Sequence, residues 1–148
     1  MTGYPKWFTR MLWWVSVLLL STGLVLIPTM LDMRLEWDVP WRLDGDQRVY
    51  AAAAHLIVGF VLIWVTGALW TVHMRHGWRR RQNRLTGALL VGALAVLILT
   101  AAGALYAGDE ALSLWSSLGH TILGLAGVVL LPAHYVIGRS IKKAARKH

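Results

Sequence analysis

The spacing of charged residues limits what this chain can fold into more than any other feature. Uncharged runs of 21 residues between Arg10 and Asp32, 26 between Arg48 and Arg75, 24 between Arg84 and Asp109, and 28 between Glu110 and Arg139 fill most of its 148 residues. About 20 apolar residues suffice for a helix to cross a hydrocarbon core roughly 30 Å thick, and a helix satisfies its own backbone groups in lipid. All four runs meet that length. The chain is therefore expected to be an all-α, four-helix transmembrane bundle, a single integral-membrane domain over residues 1–148. The expected spans are about 8–31, 49–74, 85–107 and 111–138, with a longer external connection over 32–48. Lys6 and Arg10 precede the first run as in a signal peptide, but the run is long and no small-x-small cleavage site precedes the acidic segment. It reads as a retained helix.

The formal net charge of +8 would point to nucleic acid if the cations shared one soluble face. Their positions give a different answer. With four spans, the N-terminus, the 75–84 connection and the C-terminus lie on one side of the membrane. That side holds Lys6, Arg10, Arg75, Arg79, Arg80, Arg81, Arg84, Arg139, Lys142, Lys143, Arg146 and Lys147, and no acid. The other side holds all seven acids and only Arg34, Arg42 and Arg48, so the balance is +12 against −4. Cations accumulate on the cytoplasmic side, which puts both termini in the cytoplasm and makes the basic charge a topology signal and a contact for anionic lipid. No nucleic-acid partner is needed. The chain has no Cys, which excludes disulfides, Cys-ligated zinc, iron–sulfur clusters and thioether-linked haem.

The external segment LDMRLEWDVPWRLDGDQR (31–48) is acidic and carries Trp37 and Trp41, placed either to sit among lipid headgroups or to meet a partner protein. Trp7, Trp13, Tyr50, Trp78, Tyr106 and Tyr135 lie at span ends and read as interfacial anchors. No nucleophile–base pair, phosphate-binding glycine loop or carboxylate pair points to hydrolytic or phosphoryl-transfer chemistry.

Four of the six histidines fall in two spans: His55 and His73 in the second, His120 and His134 in the fourth. Eighteen residues at about 100° each make five whole turns, so His55 and His73 are expected on one face of a continuous helix. Fourteen residues fall about 40° short of four turns, so His120 and His134 also share a face. The axial separations are about 27 Å and about 21 Å. Both helices run from outside to inside, which pairs His55 with His120 near the outer surface and His73 with His134 near the inner one. Two layers of facing imidazoles are what two bis-histidine b-type haems require, each iron taking one axial nitrogen from either side of the macrocycle. Gly59 and Gly124 each follow a His by four residues, and Gly127 lies seven from both His120 and His134. Glycine lets a flat macrocycle or a neighbouring helix come close to the backbone.

A lone histidine in a membrane helix often only bonds a neighbouring Ser or Thr. Four in register are costly to bury without a function. No Cys or intramembrane carboxylate completes a copper or zinc site, and no Asp or Glu inside a span supports a proton relay. His76 competes with His73 but lies about 60° off the His55 face, so His73 is preferred. His148 is terminal and expected to be solvated. Arginines at the span ends are candidate counter-ions for haem propionates as well as topology signals: Arg48 or Arg42 outside, and Arg75, Arg79, Arg84 or Arg139 inside.

Taken together, these residues make the chain similar to the membrane cytochrome b subunits of respiratory complexes. That cytochrome b561-like group includes the formate dehydrogenase gamma and nickel–iron hydrogenase cytochrome b subunits. RMLWWVSVLLLSTG (10–23) resembles the family opening, in which Arg and then His-Trp lead an apolar run ending in Thr-Gly. RQNRLTG (81–87), leading to LTAAG, resembles the start of the family's third helix and its later Thr-Gly. In the formate dehydrogenase gamma subunits the fourth helix carries two haem-ligating histidines fourteen residues apart, as His120 and His134 are, and the second-helix ligand corresponds to His55. The family's first-helix histidine falls on Trp13 here, which cannot bind iron. The fourth ligand must come from elsewhere, with His73 the candidate, an arrangement that resembles the cytochrome b of quinol-oxidising complexes, where the second and fourth helices carry all four histidines.

The resemblance implies a di-haem b-type subunit of a bacterial inner membrane. It would carry electrons between the quinone/quinol pool and a periplasmic redox subunit or c-type cytochrome. It implies quinone exchange near the inner haem, among Trp70, His76, Trp78 and Asn83, and docking of the periplasmic partner on the acidic outer face. Two other readings fit the same residues: a stand-alone b561-like oxidase passing electrons from superoxide to quinone, and a haem-free membrane anchor or assembly subunit whose histidines bridge helices.

Overall fold

The computed structural model describes residues 5–79 and 83–144. Arg80 and Arg81, Arg146 and Lys147, and His148 lie outside the described residues. Every regular element among the described residues is helical: α1 (Lys6–Leu35), α2 (Gly45–Leu69), a π-helical turn (Trp70–Met74), α3 (Arg75–Arg79), α4 (Arg84–Tyr106) and α5 (Glu110–Ala144). Four of these, α1, α2, α4 and α5, are long and apolar enough to cross a membrane. Each overlies one of the uncharged runs, and α1 and α5 continue past both ends of theirs, so that Arg10 and Asp32, for instance, lie within α1.

The helices carry their apolar side chains outward. No residue of α4 is buried, and Phe60, Trp64, Leu99, Ile122 and Val129 are among the large exposed side chains. In water such a surface would far exceed what a soluble chain leaves uncovered. In a bilayer the lipid is the solvent for it. The chain is a multi-pass membrane protein.

The chain divides into two compact units between Leu69 and Trp70. In the first, α1 and α2 form an antiparallel hairpin: Gly23 lies against His55, Leu19 against Gly59, and Met33 against Arg48. Its buried helical residues are Phe8, Val15, Thr29 and Val65. At the turn, Glu36 adopts a left-handed backbone (φ 54°) and Trp37 N–H reaches back to the Leu31 carbonyl. Arg42 clasps the loop to both helices, donating to Asp32 Oδ1 and to Asp44 Oδ1 (3.1 Å), with Asp38 at 4.0 Å. The Asp44 hydrogen bond, then the charge and hydrogen bond of Asp32, hold the guanidinium pKa above its ordinary value. Leu43 N–H donates to Thr29 Oγ1 at 3.0 Å. Arg42, one of the outer counter-ion candidates, thus serves as the loop's ionic hub.

In the second unit α4 and α5 form a tighter hairpin. Residues 107–109 make the turn, and Asp109 caps α5 by accepting Leu112 N–H at 2.7 Å. Gly103 packs against Ser116, Thr100 against Gly119 and Asn83 against Gly138, again in antiparallel register. The buried residues here are hydroxyl-bearing: Ser113, Ser116 and Ser117.

The π-helical turn revises one sequence-based expectation. The five-turn count from His55 to His73 presumes 100° per residue throughout. Trp70–Met74, which contains His73, closes its hydrogen bonds one residue wider than an α-helix does, so the count does not carry through to His73. Such turns recur at functional sites in other helices.

Candidate cofactor-binding histidines

Three of the four intramembrane histidines are held by the same device. In the first unit, His55 Nδ1 lies 3.0 Å from Thr22 Oγ1 on α1. In the second, His120 Nδ1 lies 3.2 Å from Thr100 Oγ1 and 3.0 Å from the Leu97 carbonyl, both on α4. His134 Nδ1 lies 2.7 Å from Thr86 Oγ1, one turn into α4. Each histidine is half-buried and reaches across its own hairpin.

Proton bookkeeping gives the tautomers. The Thr22 hydroxyl donates to the carbonyls of Leu18 (2.9 Å) or Leu19 (3.0 Å), so its lone pair is what faces His55. The Thr100 hydroxyl donates to the carbonyls of Val96 (2.8 Å) or Leu97 (3.1 Å). The Thr86 hydroxyl donates to Asn83 Oδ1. The Leu97 carbonyl can only accept, so His120 donates from Nδ1, and threonine protons committed in this way would give His55 and His134 the same tautomer. A neutral imidazole protonated on Nδ1 carries its lone pair on Nε2, the form that binds a metal. An Nδ1–H held by a neighbouring acceptor is the usual support for such a ligand.

Glycine opens the way for these contacts. A Cβ at Gly23 would stand 3.0 Å from His55 Cε1, tighter than side chains ordinarily pack. At Gly87 the distance to His134 Cε1 would be 3.7 Å, an ordinary contact. A Cβ at Gly124 or Gly127, along α5 between His120 and His134, would meet nothing within 4 Å.

His73 lies in the π-helical turn, and its ring centre is 6.1 Å from that of His134 with an interplanar angle of 75°. Two imidazoles bound to opposite sides of one metal through nitrogens about 2 Å from it place their ring centres about 6 Å apart. The His73–His134 separation fits that requirement. Among the described residues no three His, Asp or Glu side chains converge.

His55 belongs to the first unit and His120 to the second; each is braced within its own hairpin. His76 is exposed in α3. Of the candidate propionate partners, Arg48 donates from Nη1 to Met33 Sδ at 3.0 Å, and Arg139 Nη1 lies 3.5 Å from the Tyr135 hydroxyl. Arg84 donates Nε (2.9 Å) and Nη2 to the Trp78 carbonyl and stacks 5.1 Å above that ring, tying the start of α4 to α3. Arg75 is exposed at the start of α3, and Arg79 at its end.

Two signals in the sequence find what the histidine count alone does not. Thr86 and Thr100 are fourteen residues apart, as His120 and His134 are, so an antiparallel pairing aligns both threonines with both histidines. All four intramembrane histidines also begin an H-x-x-x-G motif, in HLIVG, HMRHG, HTILG and HYVIG, and His76 does not. This distinguishes His73 from His76 in the same way as the ring contact with His134. Comparison with protein-family models, with curated proteins and with solved structures gives no match to this chain.

Proposed function

We propose that this protein is a di-haem b-type cytochrome subunit of a bacterial inner membrane. It would carry electrons across the bilayer between the quinone/quinol pool and a periplasmic redox partner, a redox subunit or a c-type cytochrome. The observation that carries the reading is the repeated Thr-to-His Nδ1 bond at His55, His120 and His134. It fixes three imidazoles across their own hairpins, and the His73 and His134 ring centres stand 6.1 Å apart, a bis-imidazole separation.

In this reading His73 and His134 hold the inner iron and His55 and His120 the outer one. Haem b supplies reversible one-electron chemistry at iron. The protein's residues do the rest. Thr22, Thr86, Thr100 and the Leu97 carbonyl would hold Nδ1 of their histidines and so aim the rings. Gly124, one turn after His120, opens onto space where a macrocycle would approach the helix. Arg48 on the outer side, with Arg75, Arg84 and Arg139 on the inner side, supplies positive charge for the propionates. The cation excess on the termini and the 75–84 connection sets the cytoplasmic side. Trp70 and Trp78, exposed beside the His73 site, are where quinone would exchange electrons. The acidic 32–48 loop, held in shape by Arg42, is where the periplasmic partner would dock.

Haem stoichiometry tests this reading. The chain, expressed with ample haem supply and purified in mild detergent, is expected to give a dithionite-reduced minus oxidised spectrum of b type and two haems per chain by pyridine haemochrome assay. A folded protein without haem absorbance would leave the membrane-anchor reading in its place.

A further inference from the structure

The two braced histidines of the α4/α5 hairpin differ in what holds their Nδ1 protons. His120 has two acceptors, the Leu97 carbonyl at 3.0 Å and Thr100 Oγ1 at 3.2 Å. His134 has Thr86 Oγ1 at 2.7 Å, and Thr86 is itself tied to Asn83, whose Oδ1 accepts the threonine proton. Asn83 stands just before α4 in a left-handed backbone (φ 50°), a conformation Asn tolerates better than most residues. Its Nδ2 donates to the His134 carbonyl at 3.1 Å, so the amide is anchored on α5 while its oxygen serves α4. The same Nδ2 lies 3.3 Å from His134 Nδ1, the longest of these contacts. With the two shorter bonds formed, the sequence is directional: Asn83 takes the Thr86 proton, Thr86 turns its lone pair to His134, and His134 is left with Nε2 unprotonated.

Building on the di-haem reading, we infer that Asn83 and Thr86 are positioning residues that fix the tautomer and the donor strength of His134. They thereby set the reduction potential of the iron His134 holds, independently of the His120 site. An imidazole whose Nδ1–H has a good acceptor donates more charge through Nε2 and favours the oxidised metal. Removing the acceptor weakens that donation and makes the iron easier to reduce. Thr100→Val leaves the Leu97 carbonyl in place, so the same substitution in the two sites has unequal consequences.

The test is a spectroelectrochemical titration of the haem-loaded full chain and its variants. Thr86→Val is expected to raise the midpoint of one haem, changing its reduced-to-oxidised ratio at fixed potential by about tenfold, or about 59 mV for one electron. Thr86→Ser should restore the wild-type value. Asn83→Leu should move the same midpoint in the same direction by less, and Thr100→Val should move the other midpoint only slightly. Ring 15N shifts of the haem-free full chain give a second readout: His134 protonated on Nδ1 in the wild type, and a mixture of tautomers in Thr86→Val. A haem-loaded protein whose midpoints and His134 tautomer both ignore Thr86→Val overturns this inference and leaves the di-haem reading standing. A wild-type chain that binds no haem overturns the di-haem reading, and the inference with it.

Discussion

In the α1/α2 hairpin the buried helical side chains are Phe8, Val15, Thr29 and Val65, whereas in the α4/α5 hairpin they are Ser113, Ser116 and Ser117. The connections differ in the same sense. The first hairpin turns through residues 36–44, a loop needing an ionic hub at Arg42 and the Thr29–Leu43 bond. The second turns in three residues capped by Asp109. In lipid there is little hydrophobic gain from burying Leu against Leu, so helices associate through close backbone approach and hydrogen bonds. The α4/α5 hairpin takes that route, with Ser116 seated on Gly103 and two threonines braced against two histidines. The α1/α2 hairpin braces one histidine and devotes its turn to an exposed, acidic, Trp-bearing loop. The difference teaches that hydroxyl-rich packing and ligand bracing go together. The hairpin built from small polar residues positions two of the four candidate ligands itself.

Substitutions can break this comparison. The largest effect is expected from the ligands. His134→Ala should remove one of the two haems, and His73→Ala should remove the same one, whereas His76→Ala should keep both; haem per chain measures all three. If His73→Ala keeps two haems and His76→Ala loses one, the inner ligand is misassigned. Next comes the close packing of the second hairpin. A side chain at Gly103 would strike Ser116 Oγ and stand 2.9 Å from its Cβ, while Gly92 opens onto space. Gly103→Leu should cost about 1–3 kcal/mol, seen as a lowered melting temperature in detergent, and Gly92→Leu should melt like the wild type. Equal melting would mean that Gly103 is not a contact point.

The paired glycines beside the histidines give a finer test. Gly23→Ala pushes a methyl to 3.0 Å from His55 and should disturb the haem absorbance band, whereas Gly87→Ala, at 3.7 Å from His134, should leave it unchanged. The smallest effects are at the turns. Asp109→Ala removes the α5 cap and should lower stability by about 1 kcal/mol. Thr29→Val removes the Leu43 bond and should cost about as much, with faster proteolysis confined to the 36–44 loop. Cleavage spread over both hairpins would show that the loop is not an independent part.

The four helices could be read from charge spacing alone, because a bilayer tolerates so few patterns that length and absence of charge nearly suffice. The fourteen-residue register of His120 and His134 was legible for the same reason: a continuous α-helix repeats at a known angle. The turn at Trp70–Met74 was not legible. WTVHM contains neither Pro nor Gly, and nothing in its composition marks a change of hydrogen-bond register. The role of Arg42 in the loop was not legible for a different reason. A count of charges places it outside the spans but does not show that three acids surround it. The bracing of His134 depends on Asn83 lying before α4 while bonding α5, a contact across 51 residues that no local pattern reveals. Thr86 and Thr100 lay between these extremes, visible once the antiparallel pairing of α4 and α5 is drawn.

Low-temperature electron paramagnetic resonance of the oxidised, haem-loaded protein tests most directly whether histidine pairs hold the irons. Two low-spin ferric signals of bis-imidazole type, each integrating to one spin per chain and one of them lost in His134→Ala, are the predicted result. A high-spin signal, or low-spin signals that persist unchanged when His120 and His134 are both replaced, would contradict it.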